Sequence, residues 1–276
     1  MLEWGGDSDS EETVLFLHGF LDCGASFTPL VEALPEGLHC VAPDLRGHGG
    51  TEWIGRGGYY HFADYLRDVR DLVDRYRRGR LVLVGHSMGG GVSALFAGSW
   101  PEEVHRLVLL EGLGPPSEDP ADGPRRIRRW IGEVRSSTDR SPRRFENLDE
   151  VADRLGRLWP TLPAQRCREL AGWLTQGAPE GGLTWSYDPL HRTRTPQIYQ
   201  PALWAPFLEA ISCPVLTVSG GKSRYRWPDL DARMARLSDH RHEEVDGASH
   251  MLHLDAPEQL ARSISAFMSE RRDKGS

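Results

Sequence analysis

The chain has little of what would tie it to a membrane, a disulfide framework or a nucleic acid. Cysteine is scarce, with Cys23, Cys40, Cys167 and Cys213 scattered through 276 residues and no C-x-x-C spacing among them. That pattern argues against a disulfide scaffold and against a metal site, and it fits reduced thiols in a cytoplasmic protein. No apolar run approaches the roughly 18 residues that mark a membrane-spanning helix. The opening residues, Met1-Leu2-Glu3-Trp4-Gly5-Gly6-Asp7, have no basic stretch leading into an apolar core, so no secretory signal is read there. Basic charge is not in excess either. The formal net charge is -7 at pH 7, which disfavours nucleic acid as a partner because neutralising phosphates needs a basic surface. There are no internal repeats.

What remains suits one large α/β domain, or such a domain carrying an insertion. Thr13 to Leu17 reads as a first buried strand and runs into His18-Gly19-Phe20-Leu21-Asp22. A helix is expected over Pro29 to Leu34 and a strand over His39 to Ala42. Next comes the glycine-dense loop Asp44-Leu45-Arg46-Gly47-His48-Gly49-Gly50. From His61 to Tyr76, Phe62, Tyr65, Leu66, Val69, Leu72, Val73 and Tyr76 recur at helical spacing. Further buried strands are expected over Val104 to Leu110, Pro214 to Ser219 and Glu243 to Asp246, with a closing helix from Pro257 to Met268. Strands alternating with helices argue a mostly parallel, doubly wound sheet covered on both faces. Residues 117–208 break this rhythm: they are rich in Arg, Pro and Trp, and show short helical patterns without a convincing strand. They read as a helical cap, with 1–116 and 209–276 forming the core domain.

The centre of the chain is Leu81-Val82-Leu83-Val84, a short buried strand, followed at once by Gly85-His86-Ser87-Met88-Gly89 and then by a helical run. Strand, sharp turn and helix are the setting in which G-x-S-x-G acts as a nucleophile elbow, with the serine hydroxyl held clear of the sheet. The plainer alternative is a glycine-rich turn with a helix-capping serine. Four motifs together resemble the α/β-hydrolase fold family: His18-Gly19-Phe20, Asp44-Leu45-Arg46-Gly47-His48-Gly49, the elbow, and Gly247-Ala248-Ser249-His250. The resemblance covers nearly the whole chain outside the cap. Two departures stand out. Only about a dozen residues precede the first strong strand, so the family's leading hairpin is short or partly missing. The turn after Val215 to Ser219 reads Gly220-Gly221-Lys222-Ser223, with serine where the family commonly has its aspartate.

A serine hydroxyl needs a base within hydrogen-bond reach. The resemblance, and the order Ser then acid then His, select His250 as that base. His18 and His86 are read as packing or orienting groups, His48 lies in a turn, and His253 falls in a helix-like stretch beyond the loop. The acid that orients the imidazole is expected to be Glu111, which ends the strand after the elbow strand, as in family branches such as the haloalkane dehalogenases. Asp229 and Asp231 stay as alternatives. The backbone N–H groups of Phe20 and Met88 are the expected oxyanion donors, and the Phe20 side chain is expected to line the acyl pocket. No cofactor and no metal are called for.

The implied activity is a serine hydrolase acting on a carboxylic ester, thioester or lactone of a small acyl substrate, apolar or aromatic. Two other readings stay open: a carbon–carbon bond hydrolase using the same serine, and a non-catalytic ligand-binding member of the fold. In the cap, Trp130, Trp159, Trp173, Trp185 and Trp204 are expected mostly to form its core, with one or two facing the cleft. Arg125, Arg126, Arg128, Arg129, Arg135, Arg140, Arg143 and Arg144 form either a solvated face or an anion site at the cap's rim.

Overall fold

A computed structural model describes residues 1–5, 10–55, 57–138 and 143–270. Its strands are β1 (Leu2–Trp4), β2 (Glu12–Leu17), β3 (His39–Ala42), β4 (Arg80–His86), β5 (Val104–Leu110), β6 (Arg144–Phe145), β7 (Thr175–Gly177), β8 (Leu183–Trp185), β9 (Val215–Gly220) and β10 (His240–Val245). Its α-helices are α1 (Thr28–Ala33), α2 (Phe62–Tyr76), α3 (Met88–Ser99), α4 (Gly123–Thr138), α5 (Leu148–Leu158), α6 (Ala164–Leu174), α7 (Pro201–Ala210), α8 (Leu230–Met234), α9 (Leu252–Asp255) and α10 (Pro257–Ser269).

Seven strands form one sheet in the order β1-β3-β2-β4-β5-β9-β10, and only β1 runs antiparallel to its neighbour. The expected doubly wound sheet is therefore present, with β1 as an antiparallel edge strand beside β3. Strands buried on both faces need apolar residues at every position, and β4 shows why. Leu81 and Leu83 join Leu15 and Leu107 on the side where Val69 of α2 and Phe96 of α3 pack. Val82 and Val84 point the other way, into a cluster with Phe16, Leu30 of α1 and Ile264 of α10.

β3 lies on one side of β2 and β4 on the other. The chain thus leaves the sheet in opposite directions at this point, and a crevice opens beyond the strand C-termini. The loop after β2 and the turn after β4 both end there.

The segment between β5 and β9 carries α4 to α7 and a small antiparallel sheet in the order β6-β8-β7. That sheet goes beyond the purely helical pattern read from the sequence; strands of two or three residues are too short to show an alternation. Phe145, Val151, Leu155, Leu170 and Leu174 form the core of this segment, with Trp159, Trp173 and Trp185 against them. The same cluster takes in Cys23, Met251 and Leu254, so this segment rests on the loops that follow β2 and β10. At its other end α7 packs closely on α3: a Cβ at Gly98 would meet the Phe207 carbonyl oxygen at 2.3 Å. Among the described residues no helix is long and apolar enough to cross a membrane. All four cysteines are buried and none forms a disulfide with another.

Candidate active site

β4 delivers Ser87 to the crevice in a backbone conformation of φ 52° and ψ -113°, which non-glycine residues adopt only when their surroundings hold them there. Its N–H donates to the Leu110 carbonyl at 2.9 Å and its carbonyl accepts from the Gly91 N–H at 3.2 Å. The turn closes because position 89 has no side chain; a Cβ there would lie 2.0 Å from the Leu17 carbonyl oxygen. The Ser87 side chain does not cap α3. Met88 is the first residue of α3, so its N–H has no partner within the helix. Gly19 stands directly against the serine, since a Cβ added to it would approach the Ser87 Cβ to 3.3 Å. That places the loop carrying Phe20 beside the elbow.

The structure brings Glu111 to His250. Glu111 follows β5, the neighbour of β4, and also sits at positive φ, 52°. Its side chain is 1% exposed. One oxygen, Oε1, accepts from the Gly220 N–H at 2.7 Å, while Oε2 accepts from the Ser223 hydroxyl at 2.6 Å and lies 3.2 Å from Nδ1 of His250. A carboxylate cannot donate, so Nδ1 carries the proton in this contact. Asp229 is turned elsewhere, in a bidentate pair with the buried Arg233 at 2.8–3.0 Å, and Asp231 is exposed on α8. Ser223, set aside in the sequence because it has no charge, is an anchor for Glu111.

Two further residues contact His250: Tyr225, which the sequence reading did not single out, and His86, read there as a packing or orienting group. Tyr225 stacks on its ring with centroids 3.7 Å apart. His86, between Gly85 and Ser87, places Nε2 2.8 Å from the His250 carbonyl. A carbonyl only accepts, so His86 donates from Nε2 and holds the loop from behind. The loop is closed on itself by Asp255, which accepts from the Ser249 N–H at 2.7 Å and the Ser249 hydroxyl at 2.5 Å.

A column of neutral histidines supports the loop that bears Phe20. His18 accepts from the Leu45 N–H at 2.8 Å, His48 stacks on His191 at 4.0 Å, and His191 stacks on Tyr60 at 3.9 Å. Burial lowers the pKa of each histidine, and takes that of His191 from 6.5 to about 4. Because the folded value lies below the unfolded one, the unfolded chain takes up protons first as the pH drops. This contribution to stability is fully present above about pH 6.5 and is lost toward pH 4. Urea unfolding should show His191 alone costing on the order of 2 kcal/mol between pH 7.5 and pH 5, and His191→Gln should flatten that slope. An equal slope in the variant would remove the column from the account.

Two cavities meet at Ser87. One, of about 400 Å³, is lined by aromatic and apolar side chains that include Phe20, Tyr59, Tyr60, Phe62, Met88 and Trp227. The other, of about 450 Å³, is lined by Leu155, Leu158, Trp159 and Trp185 of the cap, together with Arg154 and His250. Phe20 borders both. The cap arginines are largely engaged: Arg125 pairs with Asp122 at 2.8 Å, Arg126 with Glu118, and Arg129 with Glu133 at 2.8 Å. Arg140 lies outside the described residues.

Known proteins resemble this chain along most of its length. A 3-hydroxybutyrate-oligomer hydrolase of Cupriavidus necator is 30% identical, over 96% of this chain and 91% of its own. A serine hydrolase-like protein of Dictyostelium discoideum is 26% identical, over 97% of this chain and 78% of its own. Among solved structures, the thioesterase domain from the curacin biosynthetic pathway superposes with a TM-score of 0.84 at 26% identity, covering 96% of this chain and 93% of that domain. Residues 14–263 match the sequence model of the Alpha/beta hydrolase family, and the chain belongs to that family.

Proposed function

We propose that this hydrolase cleaves carboxylic esters or thioesters through a Ser87–His250–Glu111 triad and an acyl-enzyme. The observation that carries the reading is the buried Glu111–His250 contact at 3.2 Å, set at the same crevice as a serine held in an elbow. Ser87 Oγ attacks the carbonyl carbon, and its proton passes to Nε2 of His250, whose Nδ1 is already committed to Glu111. The oxyanion of the tetrahedral intermediate takes hydrogen bonds from the backbone N–H groups of Phe20 and Met88. Collapse expels the alcohol or thiol, which leaves with the proton from His250. Water then attacks the acyl-enzyme and gives a proton to the same nitrogen, and collapse returns that proton to Ser87 Oγ as the acid leaves. Glu111 stays ionised throughout and stabilises the imidazolium formed in each half-reaction.

Two cavities that share Ser87 support a substrate with two sizeable parts, one of them apolar or aromatic. A relative named for an oligomer hydrolase activity and another named as a thioesterase support an acyl substrate. A panel of p-nitrophenyl esters of graded chain length, run beside acyl-CoA thioesters, tests this. Turnover should rise from acetate toward longer or aromatic acyl groups, because a pocket of about 400 Å³ gains contact with each added group. No turnover of any ester or thioester, with cleavage of a vinylogous diketone, would replace this reading by carbon–carbon bond hydrolysis.

A further inference from the structure

Behind the His250 loop lies a second group of chemistry-bearing side chains that the proposed reaction does not use. Asp22, His86 and His253 are 5%, 1% and 0% exposed. One potential ligand atom from each lies within 4.8 Å of the other two. Asp22 Oδ1, His86 Nδ1 and both ring nitrogens of His253 are buried without a hydrogen-bond partner. Four such atoms in one place are unusual, because each unmatched buried polar group costs about 1–3 kcal/mol.

The hydrogen-bond chemistry defines what each of these atoms can offer. His86 uses Nε2 to donate to the His250 carbonyl, so its Nδ1 offers a lone pair. Asp22 Oδ2 accepts from the Ser26 hydroxyl at 2.9 Å and lies 3.7 Å from Nε2 of His253, while Oδ1 offers further lone pairs. A neutral His253 adds one more through whichever nitrogen lacks the proton. Three acceptors therefore converge. A divalent cation can take all three lone pairs at once, leaving the remaining ring nitrogen of His253 as an N–H donor. Two imidazoles and one carboxylate are a donor set suited to zinc-type ions. Ligand atoms on a tetrahedral zinc stand roughly 3.3 Å apart, given bonds of about 2.0–2.1 Å, so separations of up to 4.8 Å would need to close by up to about 1.5 Å. Asp22 and His86 border the same cavity as Ser87 and Trp159.

We propose that Asp22, His86 and His253 form an inhibitory site for one divalent transition-metal ion of the zinc type. The ion takes no part in the hydrolysis. It acts because its ligands belong to the catalytic frame: His86 precedes Ser87 and holds the His250 carbonyl, and Asp22 follows Phe20 by two residues. Drawing the two together shifts the loop beside Ser87 and the histidine loop relative to the serine.

Zinc chloride titrated into the full chain by calorimetry tests the site independently of any substrate. One ion per chain is expected, with binding retained in His250→Ala and weakened by about tenfold or more in Asp22→Asn and His253→Gln. Ester turnover of the wild type should fall along the same occupancy curve and return on chelation. If a ligand variant does not fold, cobalt(II) bound to the wild type should give the visible absorption of a tetrahedral nitrogen and oxygen site. Absence of stoichiometric binding overturns the proposal. So does binding that is lost in His250→Ala yet kept in His253→Gln, which would place the ion on the proposed base. Binding that leaves turnover unchanged overturns the inhibitory role.

Discussion

Ser87→Ala is expected to leave a folded protein with ester turnover reduced by about 10⁵–10⁶ and no labelling by a fluorophosphonate probe. The magnitude follows from the chemistry. Without Oγ no acyl-enzyme forms, and only oxyanion stabilisation and binding remain. Folding should survive because the Ser87 side chain makes no capping bond to α3 and the turn is held by backbone contacts to Leu110 and Gly91. The melting temperature should stay near that of the wild type, or rise if alanine relieves strain. His250→Ala should cost turnover on the same scale, whereas His253→Gln should cost far less, since His253 touches neither Ser87 nor Glu111. Retained labelling in Ser87→Ala would assign the chemistry to another nucleophile. A wild type that is never labelled would favour the ligand-binding reading.

Glu111→Gln is expected to lower turnover by about 10²–10⁴ with little change in KM. The carboxylate is almost fully buried and its oxygens accept from three groups: the Gly220 N–H, the Ser223 hydroxyl and the His250 ring. A glutamine keeps the shape of this contact and loses the charge. Its amide also presents donors, which meet Ser223 or force His250 into the wrong tautomer. Ser223→Ala should cost less, about tenfold, by freeing one carboxylate oxygen from its anchor while the charge remains. Asp229→Asn should lower stability, through its pair with Arg233, and leave turnover alone. A kcat loss in Asp229→Asn matching that of Glu111→Gln would return the acid to Asp229.

Much of this is legible in the order of the residues. The strands declared themselves because parallel strands covered on both faces must be apolar at each position, as in Leu81 to Val84. The elbow was legible because the turn tolerates only glycine at position 89, so the motif records a steric requirement. The short sheet in the cap was not, because Arg144–Phe145, Thr175–Gly177 and Leu183–Trp185 are too brief for a periodic signal. Ser223 was misjudged for another reason. By residue type it is a missing charge, and its value as a hydrogen-bond donor depends on a partner 112 residues away.

Sequence alone determined the layered α/β architecture, the serine turn and the two contending sources of an acid, since each rests on local residue chemistry and on spacing along the chain. Tertiary structure decided which carboxylate reaches His250. The strand order sets β5 between β4 and β9, so Glu111 meets the loop after β9 while Asp229 is taken by Arg233 of the helix it precedes. The same folding gathered Asp22, His86 and His253, three residues with no sequence spacing in common. Convergence of side chains from separate loops is a property of how the strands are ordered in space, and no local pattern encodes it.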